Sequence, residues 1–208
     1  MSKVFVDLGM SLDGFIAGPN GGAKNPLGDN GLKIHEWMFK QKSFRRHLGM
    51  EGGETNNTDD DIIENIFNRI GANIMGKKMF IEGEANWPDE SPFHCPVFVL
   101  THEKREPWER PGGTTFYFTD EDIHTALGRA KNAAGKKDVR ISGGARTIQQ
   151  YFNAGLVDEL TLHVAPLILG NGVRLFENID IEKFSLEINE VVNSREVTHL
   201  FYKVRNSK

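Results

Sequence analysis

The sequence predicts an α/β domain: a central, mostly parallel sheet flanked by helices, closed at its carboxy-terminal end by an antiparallel hairpin. Three observations predict it. Short apolar or β-branched runs alternate with helix-period segments, the pattern made by parallel strands joined through helical crossovers. Two of the strand-to-helix junctions run through glycine, at Met75-Gly76-Lys77-Lys78 and at Ile141-Ser142-Gly143-Gly144-Ala145. The last stretch, 183–205, reads instead as two long strands turned at Asn193-Ser194.

Each element follows from its own pattern. Val4, Val6 and Leu8 alternate with Phe5 and Asp7 in a first strand. Residues 18–31 are rich in glycine and proline and form a long loop. Ile34, Trp37, Met38, Phe44 and Leu48 fit one face of a helix across 33–48. A second helix opens at Thr58-Asp59-Asp60-Asp61, carries Ile62, Ile63, Ile66, Phe67 and Ile70, and stops at Gly71. Its three acids suit the positive end of a helix, so they need no metal to explain them. Strands follow at Ala72–Met75, Pro96–Leu100 and Thr115–Phe118. Thr119 caps a helix over 120–134 stopped by Gly135. The Val139–Ser142 strand leads through Gly143-Gly144 into a helix ending at Gly155, and Leu160, Leu162 and Val164 form a further strand. No repeat or linker divides the chain, so one domain spans 1–208.

Composition narrows the function classes. The chain has 208 residues, enough for one sizeable core, and a net charge of −4. That balance argues against a general nucleic-acid binder, which shows a basic face. A single cysteine, Cys95, allows no internal disulfide and fits a reducing compartment. No signal-like start or membrane-length apolar run is present. The expectation is a cytoplasmic protein with a small-molecule substrate and neither nucleic acid nor membrane as partner.

The glycine junctions carry the chemistry. Paired glycines let backbone N–H groups approach a ligand with no Cβ in the way, and the helix that follows points its positive end at the same place. The Gly143-Gly144 turn therefore suits a phosphate or pyrophosphate. The Gly76 turn, followed at once by Lys77 and Lys78, suits a second phosphate of the same ligand. Each turn also has a purely structural reading, with the lysines as solvated surface groups; together they point to a dinucleotide bridging two strand ends. No metal is expected. His35-Glu36 lacks the histidine at position 39 that a zinc helix requires, where Phe39 stands, and His94-Cys95 has no partner at ligand spacing.

Four pieces in this order resemble the dihydrofolate-reductase-like superfamily, in the branch that includes the C-terminal reductase domain of bacterial riboflavin biosynthesis. They are Ser11-Leu12-Asp13-Gly14-Phe15-Ile16-Ala17, Met75-Gly76-Lys77-Lys78-Met79-Phe80, Ile141-Ser142-Gly143-Gly144-Ala145, and Gly155-Leu156-Val157-Asp158-Glu159-Leu160 running into Pro166-Leu167-Ile168-Leu169-Gly170. The resemblance spans nearly the whole chain. It implies NADPH as cofactor, a homodimer, and hydride transfer to a small planar heterocycle such as a pterin, a folate or a pyrimidine-type compound.

Carried over residue by residue, the resemblance puts Gly76, Lys77 and Lys78 at the adenosine phosphate end of the cofactor. Leu100 and Thr101 would flank the adenine, and Ser142, Gly143, Gly144, Ala145, Arg146 and Thr147 would wrap the pyrophosphate. Lysines beside the ribose, with His102, Lys104 and Arg105 nearby, favour a 2′-phosphate and so NADPH over NADH. Asp13 is the candidate catalytic and substrate-facing group; it also fits a simple turn before Gly14. Trp37 is either a wall of the substrate pocket or core, and Gly170 either closes over the nicotinamide or only turns the chain. Two other readings stay open: an NADPH-binding sensor or scaffold with little catalysis, and an interaction domain whose glycine turns are structural.

Overall fold

The computed structural model describes residues 2–207. Its centre is a nine-stranded sheet in the order β10-β11-β8-β1-β7-β3-β4-β6-β5. The strands are β1 (Val4–Ser11), β3 (Ile70–Gly76), β4 (Pro96–Leu100), β5 (Trp108–Arg110), β6 (Thr114–Thr119), β7 (Asp138–Gly143), β8 (Glu159–Ala165), β10 (Phe184–Asn193) and β11 (Thr198–Asn206). Strands β8, β1, β7, β3, β4 and β6 run parallel. The β10–β11 hairpin joins the β8 edge antiparallel, and β5 does the same beyond β6. A separate pair, β2 (Phe15–Ala17) with β9 (Val173–Arg174), sits after the end of β1.

Helices cover both faces, as a parallel sheet requires. On one face lie α5 (Ile123–Ala134) and α6 (Ala145–Asn153). Their Leu127, Ala130, Ile148, Tyr151 and Phe152 pack on Val4, Val6, Ala72, Ile74, Val139, Ile141 and Leu160 in the main core. On the other face lie α1 (Glu36–Lys40), α2 (Lys42–His47), α3 (Thr58–Arg69) and α4 (Lys77–Glu84). Here Phe5 packs with Ile66 and Ile70, and Met75, Val97 and Val99 pack with Phe80. Apart from Ile70, which an irregularity between Ile70 and Ala72 at the start of β3 places out of step, the two sets come from alternate strand positions, so the period of two sorts each strand's residues between the helical layers.

The expected helix over 33–48 is instead three pieces: a 3-10 turn at Gly31–Ile34, then α1, then α2. The break falls at Gln41, whose backbone is extended. Glu54 explains it. Its N–H donates to the Lys40 carbonyl and its carbonyl accepts from the Lys42 N–H, so Gln41 forms a β-bridge to Glu54 that a continuous helix would forbid. The helix expected from 120 begins at Ile123, because Thr119 stays in β6 opposite Leu100 and Asp122 takes the cap, accepting from His124 and Thr125 N–H. Gly71 is not a helix stop but the second residue of β3. A Cβ there would lie 2.6 Å from Lys137 Cβ and 2.7 Å from the Ala134 carbonyl oxygen, so its place is set by close packing. Strands β2, β5 and β9 were too short to show a period.

Tyr151 is buried in the main core with its hydroxyl donating to the Ile123 carbonyl at 3.1 Å. Tyr151→Phe keeps the ring and removes that one buried hydrogen bond, so urea unfolding should show a loss of about 1 kcal/mol. Ile74→Ala, by contrast, opens a cavity in a central strand and should cost about 2–5 kcal/mol.

Candidate active site

Neighbouring strands β3 and β7 send their connections in opposite directions. Helix α4 leads from β3 outward to β4 on one face; α6 leads from β7 past β1 to β8 on the other. Between such strands an open α/β sheet leaves a crevice at their carboxyl ends, the usual place for a ligand. The two glycine junctions predicted from sequence meet there. Met75 is in register with Gly143, and a Cβ on Gly76 would lie 2.4 Å from Thr147 Oγ1. Gly143 has φ 135°, which a side chain would strain, and a Cβ there would touch Met79 Sδ at 3.1 Å. The Gly143–Gly144 peptide is cis.

The helix starts at this crevice differ from those of two helices away from it. Asn57 caps α3 through the Asp60 N–H, and Asp122 caps α5. Helices α4 and α6 have Gly76 and Gly144 at the capping position and no side-chain cap. Their first-turn N–H groups thus lack side-chain partners, and both positive helix ends face one place, a ready site for an anion. Lys77 and Lys78 stand exposed in the first turn of α4, and Arg146 stands exposed in the first turn of α6. Lys77 pairs with Glu103 and Lys78 lies 3.7 Å from Glu82, whereas Arg146 makes no salt bridge among the described residues. The Lys77–Glu103 pair is exposed on both sides, and such pairs are worth little.

The other expected cofactor residues gather here with unequal freedom. Leu100 closes β4 and Thr101 follows it; the Thr101 N–H donates to the Thr119 carbonyl and its hydroxyl accepts from the Glu103 N–H. Ala145 and Thr147 are buried in the first turn of α6. The Ser142 hydroxyl is already engaged, donating to Asn73 Oδ1 at 2.7 Å. Arg105 is tied to Glu84 at 2.8 Å and lies over Phe118, while His102 and Lys104 are exposed. Sequence reasoning missed one neighbour: the 18–31 loop reaches α4, and Gly22, Ala23, Ile81 and Glu82 join the two lysines around a cleft of about 390 Å³.

Asp13 and Gly170 meet each other. The Asp13 carboxylate accepts from the Ser11 hydroxyl at 2.6 Å, the Leu169 N–H at 3.1 Å and the Gly170 N–H at 2.7 Å. Ser11 Oγ in turn accepts from the Phe15 N–H, and Arg174 donates to the Asp13 carbonyl. This knot ties the β1–β2 turn to the 166–172 loop. The Ser11 hydroxyl first, then the backbone N–H groups of Gly170 and Leu169, hold the Asp13 carboxyl down at about 2 against the opposing effect of desolvation. It is therefore ionised throughout the neutral range and carries no proton to give.

Trp37 is 3% exposed, its ring 5.0 Å from that of His163 and 5.2 Å from that of His199, so the core reading describes its surroundings. Around it lies a polar layer that sequence reasoning did not single out. Asp7, Arg140, His163 and His199 share the sheet face under α1 and α3, with half-buried His35 packed over Gly9. A Cβ on Gly9 would sit 2.8 Å from Ile34 and 3.0 Å from the His35 ring. Burial, then the charges of His163 and Arg140, bring His35 down to about 4. The signal in the sequence was there: Asp7 and His163 each stand inside an otherwise apolar strand, where a buried polar group demands a partner.

The crevice, the paired glycine junctions and the uncapped helix ends define an open-sheet α/β protein with two helix starts at one switch point. Its sequence matches the RibD C-terminal domain model over residues 2–200, and the chain belongs to that family. It is 27% identical over 201 residues to the uncharacterized protein YyaP of Bacillus subtilis (strain 168), covering 93% of this chain and 88% of the relative. Among solved structures it resembles a Shewanella sp. PV-4 protein named for riboflavin biosynthesis, with TM-score 0.64, 21% identity, and 99% and 100% of the two chains covered. It also resembles an Enterococcus faecalis dihydrofolate reductase complexed with NADP(H) and RAB-propyl, with TM-score 0.55, 13% identity, and 99% and 97% covered. The fold is therefore that of the pyrimidine- and pterin-type reductases.

Asp13→Asn would set an amide N–H against N–H donors that now meet a carboxylate. Thermal unfolding should show a lower Tm at pH 7, and hydrogen exchange should be faster at Leu169 and Gly170. The lowered Asp13 value means a contribution present above about pH 4, the ordinary carboxylate range, and lost as pH falls toward 2. The variant's Tm should accordingly fall less steeply than the parent's across that interval.

Proposed function

We propose that this protein is an NADPH-dependent reductase that transfers a hydride to a small planar heterocycle of the pterin, folate or pyrimidine type. The observation that carries the reading is the pair of uncapped, glycine-started helices, α4 and α6, aimed at one crevice with Lys77, Lys78 and Arg146 around it. A dinucleotide's linked phosphates match two adjacent helix N-termini better than any single anion does. NADPH, when bound, supplies the hydride.

The residues of this chain would hold and orient it. Backbone N–H groups at Gly144, Ala145 and Arg146 would take the pyrophosphate, and Gly76 and Gly143 let the two junctions approach closely enough to present them together. Lys77 and Lys78 would exchange Glu103 and Glu82 for the 2′-phosphate, the basis of a preference over NADH. Leu100 and Thr101 would bound the adenine. Asp13 would act by holding the 166–172 loop, with Gly170, over the substrate end rather than by moving a proton. That same engagement of Asp13 favours a second reading, in which the protein binds NADPH as a sensor with little turnover. The family relationship supports a homodimer, and Leu186, Ile188 and Val191, exposed on edge strand β10, are the apolar groups a second copy would cover.

Calorimetric titration with NADPH and NADH tests the cofactor assignment. NADPH should bind at least about tenfold more tightly, the equivalent of one charge-assisted contact. Lys77→Ala should erase most of that difference, and Gly76→Ala should weaken NADPH by crowding Thr147. Equal affinities would remove the 2′-phosphate assignment, and no binding of either would remove the reductase reading. Oxidation of NADPH on adding pterins, folates or pyrimidine compounds separates the reductase from the sensor.

A further inference from the structure

Apart from the glycine junctions, four buried groups form one hydrogen-bonded chain across the sheet. Asp59 Oδ1, in the first turn of α3, lies 2.8 Å from His199 Nε2 of β11. His199 Nδ1 faces His163 Nδ1 of β8 at 2.6 Å, and His163 Nε2 lies 3.1 Å from Asp7 Oδ2 of β1. None of the four is more than 5% exposed. Their hydrogens can be counted. A carboxylate only accepts, so each Nε2 beside an aspartate carries a hydrogen. Were both rings neutral, both Nδ1 atoms would then be bare lone pairs aimed at each other at hydrogen-bond distance. A third hydrogen must lie between them. Two rings with three N–H bonds are one imidazole and one imidazolium.

The charges around the chain agree. From β1 comes Asp7, from α3 Asp59, and from β7 Arg140, whose Nη2 donates to the Asp7 carbonyl at 2.7 Å and lies 3.4 Å from its carboxylate. One imidazolium with that guanidinium balances the two carboxylates. Asp60, beside Asp59, is engaged by the Ser43 and Asn57 ends of its own neighbourhood, accepting from the Ser43 N–H. Arg69 of α3 acts on Asp7 from further away and is held by Asp138 and Glu159. His35, before α1, stays neutral near pH 7 and adds no competing charge. Trp37 of α1 covers both imidazoles with its ring.

We propose that His163 and His199 are a one-proton pair, a buried clamp that joins α3 and β1 through β8 and β11 only while a single proton is shared between the two Nδ1 atoms. Losing that proton sets two lone pairs against each other. Adding a second sets two N–H groups and two cations against each other. Either change parts the link beneath Trp37 and the α1–α3 layer, so the helical cover on this face of the sheet is closed near neutrality and loosened on both sides of it. Two directions accord with this. Burial, then the charge of His163, push His199 down, which is the refusal of a second proton; burial pushes Asp7 up, but the charge and hydrogen bond of His163, with Arg140, hold it low.

The pH dependence has a definite sign. In the unfolded chain both imidazoles take protons near pH 6.5. Below that value the unfolded chain binds more protons than the folded pair, and stability falls as pH falls. Above it the folded pair keeps a proton the unfolded chain has released, and stability falls as pH rises. Each full proton of difference changes the folding equilibrium by about tenfold per pH unit. The deciding experiment is an NMR titration of the ¹⁵N-histidine-labelled full chain, which needs no ligand. A single exchangeable proton, far downfield and correlated with Nδ1 of both rings, should persist through neutrality and vanish at both extremes. The Tm should trace a bell over the same range, flattened in His199→Gln, whose amide does not titrate. Two rings titrating independently near pH 6.5, or two neutral rings at pH 7 with no proton between them, would overturn the clamp; should the variant not fold, the wild-type titration decides alone.

Discussion

The reversal of crossover direction between β3 and β7 is the constraint on which the candidate site depends. Two adjacent parallel strands end side by side, and their helices leave to opposite faces. The backbones at the junctions then come so close that Gly76 has Thr147 where a Cβ would be. Glycine at that point cannot also provide a side-chain cap. The helix N–H groups are consequently left facing the crevice, with lysines and an arginine in the first turns. Close packing and an uncapped helix end are one property of one junction.

The two faces of the sheet solve different problems. Under α5 and α6 the side chains are almost all apolar, and burial alone accounts for their place. Under α1 to α3 the same strands present Asp7, Asn73, Arg140, Ser142, His163 and His199. Each of these side chains has a partner on another strand or helix, although Arg140 Nε itself is buried without one. A layer of this kind contributes less to stability than an apolar one of equal volume, but it holds its members in fixed register, since a slipped pairing would leave charges buried alone.

The loop system at the end of β1 follows a similar logic. Asp13 lies in a tight turn that any Asp-Gly pair could make, yet its carboxylate reaches the backbone of Leu169 and Gly170, far along the chain. The β2–β9 pairing and the close fit of Gly172 against the Ala17 carbonyl join the same two segments. What reads locally as a turn residue is a long-range fastener.

The sequence by itself determined the α/β class, the parallel sheet with its closing hairpin, most strands within a residue or two, and both glycine junctions. These are local properties: period two or 3.6, a β-branched run, a glycine before a helix. Local pattern failed where a distant segment intervened, as Glu54 does in breaking the helix expected across Gln41, and where an element was as short as Trp108–Arg110. Only the tertiary structure decided that Gly76 meets Thr147, that Asp13 is held by Gly170, that Trp37 is enclosed by two imidazoles, and that Asp59, His199, His163 and Asp7 form one chain. Those pairings join residues a hundred or more positions apart in several cases, and it is strand order, which no local period encodes, that brings them together.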